Sequence, residues 1–214
     1  MTSSAESGPF ADAVAEDTVL ESSVVFRGAV WDIVRERFRF GGEVLTREFM
    51  SHTGAVAVLV LDDADRILFI RQYRHPVGRR DWELPAGLLD APGEDPFDAA
   101  KRELGEEVDL LADRWDVLLD QYTSPGGSSE NVRVYLARGL SATPEAFDRT
   151  GEEAELEQRW VALPDALEAV LDGSVQNPFV VSGVMALHLA KERSFSTLRP
   201  ADAAWPTRSP GRPE

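Results

Sequence analysis

Glu103, Glu106 and Glu107 are the residues of this sequence whose type and spacing most directly suggest chemistry. At about 100° per residue on a helix they share one face, while Phe97, Ala100, Leu104, Val108 and Leu111 line an adjacent face that a core can bury. Carboxylates four apart, as Glu103 and Glu107 are, repel by about 0.2–0.5 kcal/mol, so the arrangement is unfavourable unless something cationic sits there. A hard divalent cation is the natural candidate, because magnesium and manganese take oxygen ligands. Taken alone, RELGEE reads more simply as a solvated acidic face, and the residues before it change that balance. A strand ends in Pro85-Ala86-Gly87, a loop follows, Glu94 opens the helix, and Arg102 directly precedes Glu103.

The elements that must position these groups show in the hydropathy pattern. Residues 22–27, 31–39 and 44–51 alternate as strands do, with Gly41-Gly42 as a hairpin turn between the last two, so they predict an antiparallel β arm. Residues 54–61 and 66–73 are apolar, β-branched runs joined by Asp62-Asp63-Ala64-Asp65, which predicts a buried hairpin. A short strand over 82–84 ends at Pro85, and residues 95 to about 111 have helical periodicity. Further strands are expected over 115–122, 132–138 and 158–163, and helices over 164–172 and 178–192, the first closed by Gly173. Strands and helices mixed without strict βαβ alternation predict a mixed sheet covered by helices. The domain organisation expected is a flexible start over 1–17, the β arm over 18–51, a main domain over 52–198 and a flexible proline-rich tail over 199–214.

Composition narrows the chemistry. The 214 residues carry 22 Lys+Arg against 38 Asp+Glu, a formal net charge of −16, which repels phosphate backbones and anionic lipids. Nucleic acid and membrane surfaces are therefore poor partners, whereas a small phosphorylated substrate stays open, because bound divalent cations reverse the local sign. With no cysteine, disulfides, thiolate zinc sites and a cysteine nucleophile are ruled out. His52, His75 and His188 lie too far apart in sequence for a local metal motif. The first residues lack the basic start and apolar run of a secretory signal, and the longest apolar stretch, 55–61, falls far short of the roughly 20 residues that span a bilayer. A soluble, cytoplasmic protein is expected.

The segment from Gly87 to Leu110 resembles the Nudix box, whose pattern is Gly, five residues, Glu, seven residues, then Arg-Glu-apolar-any-Glu-Glu-any-Gly-apolar. Gly87, Glu94, Arg102, Glu103, Leu104, Glu106, Glu107 and Leu110 match it, with the seven-residue gap from Glu94 to Arg102 intact. Two departures stand out: six residues separate Gly87 from Glu94, which lengthens a loop, and Asp109 replaces the glycine at the helix exit, where Asp can still adopt turn conformations. The resemblance implies an α/β (α+β) fold, a Nudix-type α/β/α sandwich with a mixed β-sheet, to which the N-terminal antiparallel β arm is added. It also implies cleavage of a diphosphate linked to another group. Glu103 and Glu107 would be the principal metal ligands, Glu106 and the Ala86 carbonyl would complete or support the site, and Arg102 would orient the carboxylates. The cofactor implied is Mg2+, with Mn2+ as a substitute.

Many relatives that act on sugar nucleotides place the proton-accepting carboxylate on a late loop. The matching loop here is residues 151–155, with Glu153 the first candidate and Glu152 the next. The arm, Gln72-Tyr73-Arg74, Trp82-Glu83-Leu84-Pro85-Ala86-Gly87 and the Ser124–Glu130 loop with Pro125 look like the ADP-ribose pyrophosphatase branch. That likeness implies hydrolysis of ADP-ribose to AMP and ribose 5-phosphate, with Arg74 and Glu83 at the substrate. Glu130 would accept from ribose hydroxyls, Trp31 would offer a face to adenine, and Arg47 would meet the phosphates or the base. A homodimer in which the arm helps build the partner's site is implied by the likeness and by an arm that would otherwise leave an edge unpaired. GDP-mannose, NADH and dinucleoside polyphosphates remain alternative substrates, and a Nudix-fold module that senses a nucleotide without cleaving it is the alternative of another class.

Overall fold

Val56, Val58 and Val60 point to one side of their strand and Ala57, Leu59 and Leu61 to the other, and all six are buried. A strand apolar on both faces needs a cover on each side, and the chain supplies it with helices. These features belong to a computed structural model that describes residues 10–15, 18–147 and 156–208. Strands β1 (Val19–Arg27), β2 (Asp32–Phe40) and β3 (Glu43–Ser51) form a separate antiparallel sheet in the order β1-β2-β3, which is the expected arm. The main sheet contains β4 (Ala55–Leu61), β5 (Arg66–Arg74), β6 (Arg79–Glu83), β7 (Ala86–Leu88), β8 (Leu110–Tyr122), β9 (Asn131–Ala142), β10 (Glu157–Ala162) and β11 (Arg199–Pro200). Its order is β10-β5-β4-β9-β8-β11, and β4 runs parallel to β9 while its other pairings are antiparallel, so the sheet is mixed.

Helix α1 (Pro96–Val108) covers one face, packing Ala99, Ala100, Leu104 and Val108 against Val56, Val58, Val60 and Tyr135. Helices α2 (Leu163–Leu171) and α3 (Pro178–Glu192) cover the other, with Val184 and Leu187 over Leu59 and Val134. Gly183 permits that approach: a Cβ there would sit 3.3 Å from the methyls of both Leu59 and Leu84. The molecule is thus a mixed α+β sandwich, helix on sheet on helix. Among the described residues no helix is long and apolar enough to cross a membrane.

Four departures from the expected elements stand out. The hairpin of β4 and β5 pairs only near its turn, at Val60↔Leu68 and Leu61↔Ile67, and then splays. The segment read as one short strand over 82–84 is two strands that fill the gap, β6 along β5 and β7 along β4. Pro85 has no N–H for either ladder and instead accepts the Val58 N–H at 2.8 Å, so it marks the crossing from one strand to the next. The helix expected to run to about 111 stops at Val108, because Asp109 takes a left-handed conformation (φ 56°) and Leu110 starts β8.

The fourth departure is the tail expected to be mobile from residue 199. Arg199 and Pro200 pair with Val117 and Asp116 of β8. Arg133, buried within β9, pairs with Asp120 and donates to the carbonyls of Ala203 (2.6 Å) and Ala204 (3.1 Å), while Arg199 also reaches Asp120. A buried guanidinium must satisfy several donors at once, and one carboxylate is not enough. The tail backbone provides two further acceptors, with the Trp205 ring 4.8 Å from the Arg133 guanidinium carbon.

Candidate active site

Helix α1 is started and stopped by side chains at its ends. Asp95 accepts the Phe97 N–H at 2.8 Å with Pro96 in the first turn, so the cap lies one residue after Glu94. At the other end Asp109 donates its N–H to Gly105 O and accepts the Phe147 N–H at 2.8 Å, which stabilises the turn that glycine serves in the family pattern. Glu94 therefore sits just outside the helix and reaches Arg102, accepting from Nε at 2.9 Å and Nη2 at 3.1 Å. Arg102 Nη1 donates to Glu103 Oε1 at 2.6 Å and to Glu106 Oε2 at 2.9 Å. One guanidinium thus gathers three carboxylates. Its hydrogen bond to Glu94 holds the Glu94 carboxyl below the usual range, and the same bonds raise Arg102 above its own.

Across from this face lies β7. Glu107, only 5% exposed, accepts the Ala86 N–H at Oε2 at 2.9 Å. A Cβ on Gly87 would lie 1.9 Å from Glu103 Oε1, so the carboxylate is seated where only glycine leaves room. Any larger residue here would displace the Glu103 carboxylate from this seat, which accounts for the first position of the motif. Among the described residues no three His, Cys, Asp or Glu side chains stand grouped as a cation cage. Arg102 draws Glu103 and Glu106 to itself, and the Ala86 amide engages Glu107. The donor set is nevertheless all oxygen, seated against glycine, and its chemistry fits a hard divalent cation.

A cleft of about 510 Å3 opens over β7, lined among others by Trp31, His52, Arg74, Glu83, Ala86, Gly87, Glu130 and Phe179. Glu83 is buried at 2% exposure, and a charge so placed needs partners. It accepts from Arg74 Nε at 2.8 Å, Arg74 Nη2 at 2.7 Å and Gln72 Nε2 at 3.2 Å. The two residues expected at the substrate are therefore joined to each other, and Arg74, half exposed, offers the cleft a cation already paired on one side. Trp31 stacks on His52, with ring centroids 5.6 Å apart and planes 24° from parallel. Glu130 accepts from the Thr123 hydroxyl at Oε2 and faces His52 Nε2 with Oε1 at 3.4 Å.

Arg47 is exposed on β3, donates to the Thr46 carbonyl at 2.8 Å and is not part of this cleft's lining. Glu152 and Glu153 lie outside the described residues; the strand their loop enters, β10, touches α1 where Gln158 Nε2 donates to the Glu107 carbonyl at 3.4 Å. Sequence reasoning missed His52 and Thr123 as parts of the site. Only proximity in space gives them away, since no motif or periodicity sets a lone histidine or threonine apart.

Comparison with known proteins agrees with this geometry. The NUDIX domain model matches residues 51–179. An ADP-ribose pyrophosphatase of Mycobacterium tuberculosis (strain ATCC 25618 / H37Rv) is 45% identical over 189 residues, covering 87% of this chain and 89% of that protein. An ADP-ribose pyrophosphatase of Bacillus subtilis (strain 168) is 35% identical over 175 residues, covering 81% of this chain and 94% of that protein. The methanol dehydrogenase activator of Bacillus methanolicus is 30% identical with the same two coverages, 81% and 94%. A solved structure described as an ADP compounds hydrolase superposes with a TM-score of 0.70 at 22% identity, covering 86% of this chain and 98% of that one, and so shares the fold.

Proposed function

The chain belongs to the Nudix family, and on that premise we propose that it is a magnesium-dependent pyrophosphohydrolase that cleaves ADP-ribose with water to AMP and ribose 5-phosphate. The observation that carries the reading is the set of carboxylates held by Arg102, with Glu103 seated against Gly87 where any side chain would displace it. The relatives from M. tuberculosis and B. subtilis, matched over most of both chains, support the choice of substrate.

Glu103 and Glu107, with Glu106 and the Ala86 carbonyl, would hold Mg2+, or Mn2+ in its place. The bound metal supplies charge neutralisation for the diphosphate and stabilises the charge that grows on the leaving oxygen. Arg102 orients Glu103 and Glu106 together by charge-assisted hydrogen bonds. Glu153, with Glu152 next in line, accepts a proton from the attacking water. The contact of Gln158 with α1 supports that role, since residues 151–155 lie just before β10 in the sequence. Arg74, backed by Glu83, meets a phosphate; Trp31 offers a face to adenine, and Glu130 accepts from ribose hydroxyls.

The protein acts as a homodimer in the cytoplasm. Val19, Leu20, Val25, Phe26, Phe40 and Val44 of the arm are exposed in the single chain, which favours burial against a second copy. Arg47, away from its own cleft, serves the partner's. The test is release of AMP from ADP-ribose with magnesium and after chelation. Turnover that requires the metal is expected. Tight binding without turnover would convert the reading to a nucleotide sensor, and a higher kcat/KM for another nucleoside diphosphate compound would reassign the substrate.

A further inference from the structure

His52 is 2% exposed and has a partner on every side that its ring offers. Its Nδ1 accepts the Gly54 N–H at 3.0 Å, so that nitrogen carries no proton and the single N–H of a neutral ring sits on Nε2. That N–H faces Glu130 Oε1 at 3.4 Å. The flat of the same ring supports Trp31. Burial lowers the pKa of His52, against the opposing pull of Glu130, which favours the neutral form that this arrangement needs. The backbone around it is tied down as well. His52 N donates to Ser129 Oγ at 2.9 Å, Ser129 N to Met50 O at 3.0 Å and Met50 N to Gly127 O at 2.9 Å, which stitches the exit of β3 to the glycine-serine loop.

We propose that His52 is the positioning residue of the nucleoside half of the cleft: its ring sets the plane of Trp31, and its Nε2–H sets the Glu130 carboxylate, so that adenine and the adjoining ribose are recognised by one pre-assembled unit. The role rests on the ADP-ribose reading above. It deepens that reading by dividing the cleft, with Trp31, His52 and Glu130 taking the nucleoside, and Arg74 and the α1 face taking the diphosphate. Because Oε2 of Glu130 is already engaged by Thr123, His52 governs the other oxygen. A neutral ring leaves Glu130 its full charge as an acceptor for sugar hydroxyls.

Two substitutions each remove one of the two duties. His52→Gln keeps an N–H at similar reach but removes the ring; His52→Phe keeps a ring but removes both nitrogens. The two products serve as probes, because AMP carries the nucleoside and ribose 5-phosphate does not. Each variant is expected to weaken AMP inhibition about tenfold, leave ribose 5-phosphate inhibition within about twofold, and raise KM for ADP-ribose with kcat nearly unchanged. A lower melting temperature with both inhibition constants unchanged, or an equal loss for both products, would overturn the proposal. Should His52→Phe lose its cooperative melt, His52→Gln alone decides. Wild-type protein that releases no AMP from ADP-ribose overturns the activity instead, and calorimetric binding of AMP to wild type and His52→Gln then tests the positioning role separately.

Discussion

Glu94, Arg102, Glu103, Glu106 and Glu107 all come from one short stretch around α1, and the Arg102 guanidinium joins three of the carboxylates, whereas Trp31, His52, Thr123 and Glu130 come from the arm, its exit and a distant loop. Trp31, His52 and Glu130 line the cleft, while the first group lies against β7, whose Ala86 and Gly87 form part of that lining. The first group is positioned by helical periodicity and needs only a glycine opposite. The second exists because the backbone of β3's exit is hydrogen-bonded to the Ser124–Glu130 loop. The difference suggests a division of labour in which the helix carries the rate and the assembled pocket carries recognition.

That division can be broken, beginning with the largest expected effect. Glu107→Gln lowers kcat by about 10²–10³-fold, the scale of losing one preorganised electrostatic group, and leaves AMP inhibition within about twofold. Loss of AMP affinity of the same size, read from inhibition kinetics, would erase the boundary between the two ends. Glu153→Gln lowers kcat by about 10²-fold, with KM for ADP-ribose little changed, if the proton acceptor acts only in the transition state. An unaltered pH–rate profile would move the role to Glu152. Trp31→Ala removes a stacking face worth about 1 kcal/mol, so KM rises about five- to tenfold while kcat holds. A fall in kcat instead would tie the arm to the chemistry.

The smallest effect concerns stability. Glu94 has a folded pKa below its ordinary 4.5, because Arg102 hydrogen-bonds its charged form. Its contribution is therefore fully present above about pH 4.5 and is lost as the pH falls through the lower folded value. Glu94→Gln should melt lower than wild type at neutral pH, and the gap should close on acidification. A gap independent of pH in thermal melts would mean that Glu94 acts by packing or as a neutral hydrogen-bond acceptor.

How much was readable in advance follows the same line. The motif positions from Gly87 to Leu110 were readable because a helix converts fixed spacing into a shared face, and because a side chain at Gly87 would displace the Glu103 carboxylate. The arm, its turn and the two helical covers were readable from alternation and periodicity, and the structure bears them out. The mutual pairing of Arg74 and Glu83 was not, since nothing local says which buried carboxylate will claim a nearby cation. Nor was the docking of the proline-rich tail, which answers the unmet donors of Arg133 on a strand far away in sequence.

By itself the sequence determined the chemistry: an all-oxygen donor set on one helical face, an acidic chain with no cysteine, and a glycine at the point of closest approach. Those properties depend on residue type and on separations of a few residues, which a helix or a turn translates directly into space. Only the tertiary structure decided the recognition end, where a neutral, buried His52 brings an arm tryptophan and a loop glutamate together. Such a pocket depends on hydrogen bonds between segments distant along the chain, and those form only once the sheet has brought them side by side.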